Sequence, residues 1–339
     1  MNVERDQPSN RAGDVRATPS LSTIPMKTLI ALLPAVALLF ASYGAFGQAP
    51  TKGFEPKEVV NPTAYYPEGP QLTSEGLLVA EMAKDRVVRF ANGRWDVMWS
   101  APGCGATSIK QIPGGGYWIL CHLGNQVVRV DAAFRTVKTF EYSSSGKRIT
   151  WPNDASVDAK GNLYLSSSGP YALEAPPQGR VVFIDVERGV PQDLVSGIRY
   201  SNGVLVQEAK SRVLVSEMLN RRMLSYPLLG PGRLGPARVF FEFKNAPAVA
   251  DAYALSGPDG IAAFSDGDIL VADYGNGRVL LLSDQGKFLD QIQVQYRFVT
   301  NMAITRDQES VFFTMTEANT SADLHGIVQR FAVRSAKKK

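Results

Sequence analysis

The chain has 339 residues, 45% of them apolar and 20% charged, with 30 glycines, 21 prolines, two histidines and two cysteines. This is a globular composition with enough apolar content for a buried core, which excludes a disulfide-stapled miniprotein and a disordered tail. The formal charge of +4, from 36 basic and 32 acidic side chains, excludes a nucleic-acid binder, whose Lys and Arg cluster in larger excess. The one basic run is Lys337, Lys338 and Lys339.

Residues 1–25 are polar and unpatterned, and read as an extension ahead of a misassigned start, the true one being Met26. From Thr28 to Gly47 the chain carries no charge; Lys27 precedes it, and Gly47-Gln48-Ala49 comes next with small residues where a signal peptidase inspects. Residues 26–49 therefore read as a secretory signal, and residues 50–339 as an exported domain, periplasmic or secreted. About 20 apolar residues can also just span a bilayer, so an uncleaved anchor is the competing reading. Pro34 and the short apolar core favour removal, which leaves no stable membrane span.

Export permits disulfides. A hairpin closed from Pro113 to Gly116 puts Cys121 opposite Ser108, with Cys104 four residues further along, roughly 13 Å away at strand rise. A disulfide tolerates a Cα separation of about 7 Å. The spacing predicts two buried thiols, bonded only if Pro102-Gly103 folds the loop back.

A sixfold repeat organises the chain beyond residue 50. A polar turn leads into an apolar strand at Pro67-Glu68-Gly69, Thr107-Ser108-Ile109, Pro152-Asn153-Asp154, Ser201-Asn202-Gly203, Pro258-Asp259-Gly260 and Thr300-Asn301-Met302. The central residues are spaced by 40, 45, 49, 57 and 42. Second strands begin at Leu77, Tyr117, Leu163, Val213, Ile269 and Val311, and third strands at Arg86, Gln126, Arg180, Arg221, Arg278 and Ile327. All are short and rich in β-branched and aromatic residues, and no stretch after residue 50 sustains a 3.6-residue apolar period. The fold class predicted is all-β, a six-bladed β-propeller. The sixth copy has room for only three strands, so Phe54 to Val60 should supply the outer strand of the last blade.

First strands of propeller blades line the central channel and run the same way, so residues at one phase reach one height. Glu68, Ser108, Asn153, Asn202, Asp259 and Asn301 are therefore expected to form a ring in which every member bears an oxygen. Carboxylates in such a channel suffer desolvation and mutual repulsion, and no Lys or Arg stands at this phase. Carboxylates with amide carbonyls, and no Cys or His, select one hard divalent cation: Ca²⁺ first, with Mg²⁺ or Mn²⁺ next and Zn²⁺ also possible. Any one of these tripeptides alone reads more readily as a turn closed by local hydrogen bonds than as a ligand; the shared phase is what points to a ligand set.

Glu68-Gly69-Pro70, Pro152-Asn153-Asp154, Ser201-Asn202-Gly203 and Pro258-Asp259-Gly260, in that order, resemble the senescence marker protein, gluconolactonase and luciferin-regenerating-enzyme family of six-bladed propellers, over nearly all of residues 55–333. The resemblance implies a lactone hydrolase with one divalent cation held by Glu68, Asn202 and Asp259, and with Asn153 contacting substrate or a metal-bound water. It implies metal-activated water attack, in which Asp259, having a second carboxylate oxygen free, is the candidate general base. Some sugar-lactonase relatives carry an Arg where this chain has Trp151, so a more apolar wall and a less hydroxylated or aromatic lactone are expected. Arg148 reads as a solvated loop charge. His122 and His325 read as ordinary polar positions, and no G-x-S-x-G elbow accompanies them. The segment from Ser166 to Tyr171 with the adjoining ALEAPPQG reads as an insertion in the third blade, either a lid at the channel mouth or a plain surface loop. A non-catalytic binding or scaffolding propeller with a structural metal, and an organophosphate hydrolase, are the alternatives.

Overall fold

Short β-branched runs punctuated by Gly, Asn and Asp favour narrow antiparallel sheets joined by tight turns, and this pattern fills residues 52–320 and 324–334, which the computed structural model describes. The extension expected at 1–25 and the signal expected at 26–49 lie outside the described residues. Six antiparallel sheets begin at inner strands Pro67–Thr73, Ala106–Gln111, Pro152–Val157, Ser201–Gln207, Gly257–Ala263 and Phe298–Ile304, and each adds its later strands outward in chain order. Each inner strand packs on the inner strands of both neighbouring blades, and the sixth meets the first, which closes the ring. The only helices among the described residues are four 3₁₀ turns of three residues each. No helix there is long and apolar enough to cross a membrane.

Closure is made as the strand count required. In the sixth blade the order from the outside is Gly53–Tyr65, His325–Arg334, Ser310–Thr316, Phe298–Ile304. The N-terminal strand pairs antiparallel with the C-terminal one, from Gly53 opposite Arg334 to Tyr65 opposite His325. It runs past the expected Val60 because three register shifts let it follow the twisted edge. The fourth blade has a fifth strand: Arg222–Gly230 pairs with both Arg233–Leu234 and Arg238–Glu242. That addition takes up part of the long spacing before Asp259.

The core lies between blades. Leu270, Val279, Phe313 and Phe331 fill the space between the fifth and sixth, and Trp118, Leu120, Leu163 and Val182 that between the second and third. Trp118 is fully buried and its indole N–H donates to the Gly161 carbonyl at 3.0 Å, so the large ring enters the core without leaving its donor unpaired.

The cysteines depart from expectation. Cys104 and Cys121 form a disulfide, with 4.5 Å between their Cα atoms. Ala106, not Ser108, lies opposite Cys121: the hairpin closes one residue earlier than expected, with the Ile112 N–H bonded to the Gly116 carbonyl, and the pairing slips by one more residue between Ala106 and Ser108. The Cys104 N–H donates to the Ala101 carbonyl, and Gly103 and Gly105 take φ of 78° and 56°, so the loop folds back. The two cysteines are 17 residues apart, and a closed loop of this size is worth about 3 kcal/mol. Replacing both with Ser is expected to lower the calorimetric Tm, and reductant to lower the wild-type Tm by a similar amount while leaving the variant unchanged.

Candidate metal and substrate site

Each inner strand carries a β-bulge at the same place, and the bulges decide which side chains reach the axis. Glu81, Cys121, Ser167, Glu217, Asp273 and Met315, at the ends of the second strands or one residue before them, pair with Pro67, Ala106, Pro152, Ser201, Pro258 and Val299. Counting one residue on from these partners gives the true ring: Glu68, Thr107, Asn153, Asn202, Asp259 and Thr300. The expected ring was right in four blades and one residue late in two. Ser108 and Asn301 belong to the next layer, at the phase of Gly69, Asp154, Gly203 and Gly260. The two threonines do not face a ligand with a free group. Thr107 donates to the Pro152 carbonyl at 3.1 Å and Thr300 to the Pro67 carbonyl at 2.7 Å, each on the next blade of the ring.

The next layer is narrow. A Cβ on Gly203 would lie 2.2 Å from the Asp259 carbonyl oxygen, and one on Gly260 would lie 2.3 Å from Asn301 Cγ. Glycine at these bulges lets neighbouring backbones close on the axis, which draws the ring above them together. Asp154 in this layer accepts from Ser108 Oγ at 3.1 Å and faces Lys110 Nζ at 3.3 Å.

Glu68, Asn153, Asn202 and Asp259, all buried, line one cavity with Thr107, His122 and a set of tyrosines and methionines. Burial, then repulsion from Asp259 and Asp154, pushes the Glu68 carboxyl well above the ordinary carboxylate range against the Gly69 N–H and Lys110. Burial and Asp154 push Asp259 the same way against the Asn202 amide and the Gly260 N–H. Asn153 Oδ1, Asn202 Oδ1 and Asp259 Oδ1 are buried acceptors with no hydrogen-bond partner. Orphaned buried acceptors are rare in native proteins.

These observations fit a hard cation. Two carboxylates and two amide oxygens converge, acceptors point at nothing, and the Lys110 ammonium is already paired with Asp154. Among the described residues there is no group of three or more His, Cys, Asp or Glu that could hold a metal, so a cation here would depend on the amide oxygens as well as the carboxylates.

The wall contains features that sequence reasoning missed. Tyr66 and Tyr200 stand just before inner strands with φ of 47° and 58°, a conformation that costs a bulky residue roughly 1–2 kcal/mol. Their carbonyls accept from the Met82 and Met218 N–H groups at 3.2 and 3.1 Å, and both methionines join the lining. Tyr171, from the third-blade insertion, also lines the cavity, so the insertion reaches the channel mouth. Trp151, expected to make the wall apolar, is not in the lining and is 37% exposed. Its backbone N–H is tied to Asn125. Arg148 is exposed, as expected. His122 is in the lining, contrary to its reading as an ordinary polar position; burial lowers its pKa to about 4 against a contact with the Pro152 carbonyl.

These raised carboxyls make stability depend on pH. The folded, cation-free protein holds protons on Glu68 and Asp259 more tightly than the unfolded chain, whose carboxyls titrate near about 4. Their favourable contribution to folding is therefore complete below that pH and is lost as pH rises toward the raised values. In chelator, the Tm is expected to fall between pH 5 and pH 8. Glu68→Gln should raise the chelated Tm at pH 8 by a few degrees and shrink the fall, read by scanning calorimetry.

The model of the SMP-30/Gluconolactonase/LRE-like region matches residues 66–317. The chain is 25% identical over 236 residues to a 6-deoxy-6-sulfogluconolactonase of Pseudomonas putida, across 66% of this chain and 76% of that protein. It is 22% identical over 217 residues to the diisopropyl-fluorophosphatase of Loligo vulgaris, across 58% of this chain and 63% of that one. Among solved structures, a gluconolactonase from Xanthomonas campestris superposes with a TM-score of 0.67 at 17% identity, covering 84% of this chain and 97% of that one. A calcium-binding regucalcin from Agrobacterium tumefaciens gives 0.68 at 18% identity, covering 83% and 95%. With the model matching most of the propeller, the chain belongs to the SMP-30/gluconolactonase/LRE-like family.

Proposed function

We propose that the protein is an exported, divalent-cation-dependent hydrolase that opens lactones or related cyclic esters. The observation that carries this is the meeting of Glu68, Asn153, Asn202 and Asp259 in one buried cavity with three unpartnered oxygens, in a chain whose relatives include a sulfogluconolactonase. Glu68, Asn202 and Asp259 would hold the cation, and an all-oxygen donor set favours Ca²⁺ over softer ions. When bound, it supplies Lewis acidity that stabilises negative charge developing on the ester oxygen.

The chain's own groups do the rest. The Asn153 amide orients the ester group. Asp259 accepts a proton from the attacking water at the carboxylate oxygen not given to the cation. The water oxygen bonds to the carbonyl carbon, the ring C–O bond breaks, and the proton passes to the departing alkoxide, so lactone and water become one hydroxy acid. The tyrosines and methionines exclude bulk water, which strengthens every charge interaction inside the cavity.

The fluorophosphatase relative favours a second substrate, a phosphotriester, whose phosphoryl oxygen presents a similar developing charge to the same donors. The Cys104–Cys121 disulfide supports export, since such bonds persist in oxidising compartments.

Chelator is expected to abolish lactone opening in a pH-stat assay, and Ca²⁺ or Mn²⁺ to restore it. Glu68→Gln and Asp259→Asn should each lower kcat/KM by about a hundredfold or more. Activity indifferent to chelator but lost in His122→Ala would move the chemistry to the imidazole. An empty screen of lactones and phosphotriesters with metal retained would leave a binding propeller.

A further inference from the structure

The cavity measures about 150 Å³, and the character of its wall bears on what can enter. Tyr66, Tyr171, Tyr200 and Tyr274 form much of it, with Met82 and Met218. Their phenol hydroxyls are engaged within the protein. Tyr66 and Tyr274 share a hydrogen bond of 2.7 Å, Tyr171 donates to the Leu255 carbonyl at 2.9 Å, and Tyr200 meets the side chains of Asn153 and Ser168. The wall therefore presents mainly ring faces and thioethers to a ligand, with Thr107, His122 and Asn319 among them.

No Lys or Arg lines the cavity among the described residues. The arginines that begin third strands nearby are committed: Arg86 to Glu81 at 2.6 Å, Arg222 to Glu217 at 2.5 Å and Arg278 to Asp273 at 2.7 Å. Tyr171 occupies the decisive place. It projects from the third-blade insertion, bonds across to the loop before the fifth blade through Leu255, and packs on Tyr200 with ring centroids 4.8 Å apart.

Resting on the lactone reading of this site, we propose that the wall selects uncharged lactones bearing an aryl or alkyl substituent over anionic and polyhydroxylated sugar lactones, with Tyr171 setting the preference. An apolar substituent gains by burial against rings and thioethers. A sulfonate on the substrate would be desolvated with no side-chain cation to pair with it, and sugar hydroxyls would find only Thr107, His122 and Asn319 beyond the donors that the cation and the ester take up.

The test uses the Ca²⁺-loaded protein and two kinds of probe. Dihydrocoumarin is expected to exceed both δ-gluconolactone and its 6-sulfonated analogue in kcat/KM by about tenfold or more, mainly through KM. Tyr171→Phe should keep the preference, Tyr171→Ala should erase it by raising KM for dihydrocoumarin, and Tyr171→Arg should raise turnover of the sulfonated lactone. Calorimetric binding of non-hydrolysable lactams, dihydroquinolinone against gluconolactam, reads the same preference without turnover. If dihydroquinolinone binds in preference while no lactone is opened, the wall assignment holds and the hydrolytic reading falls. Equal or better turnover of the sugar lactones, tighter binding of gluconolactam, or an unchanged preference in Tyr171→Ala overturns the assignment.

Discussion

The organisation of this molecule turns on an electrostatic deficit at the mouth of its channel. Two carboxylates and two amide oxygens are held out of water; burial raises both Glu68 and Asp259, with repulsion from Asp259 and Asp154 adding to the first and from Asp154 to the second. The Lys110 ammonium is paired with Asp154 in the next layer. Such a cluster disfavours folding unless something positive joins it. The surrounding architecture reads as the means of holding these oxygens together despite that penalty.

Three devices do so. A bulge in every inner strand turns one residue per blade toward the axis. Glycines at Gly69, Gly203 and Gly260 let the strands beneath approach to distances that a Cβ would forbid. The N-terminal strand closes the last blade, so the ring cannot relax by opening between its first and last blades. Left-handed tyrosines at 66 and 200 add local strain, and the backbone bonds to Met82 and Met218 hold it in place. Strain of this kind persists where surrounding structure over-determines it, and here it sits in the cavity wall.

The sixfold repeat was legible because each blade needs the same short apolar strands at a similar spacing. The missing outer strand of the last blade could be inferred by counting. Four of the ring residues could be read because Glu, Asn and Asp stand out before Gly or Asp. In the second and sixth blades the eye falls on Ser108 and Asn301, whereas register, set by the partner strand, places Thr107 and Thr300 at the axis. Two one-residue shifts hid the disulfide, one at the hairpin turn and one at the bulge, and together they bring Cys121 opposite Ala106 rather than Ser108. Trp151 shares the left-handed conformation of Tyr66 and Tyr200, with φ of 47°, yet it is exposed, so the aromatic wall stands at Tyr66 and Tyr200 and nothing local in the sequence separates the three. Tyr171 lay in a recognisable insertion, but the direction an insertion takes depends on a distant acceptor, here the Leu255 carbonyl.

The most direct measurement is a calorimetric titration of chelator-stripped protein with Ca²⁺, run in buffers of different ionisation enthalpy so that proton release is counted. The account predicts a single site per chain whose occupation expels protons, with binding lost on Glu68→Gln and on Asp259→Asn. Absence of a site, or a site whose affinity and proton release are the same in both variants as in the wild type, would contradict it.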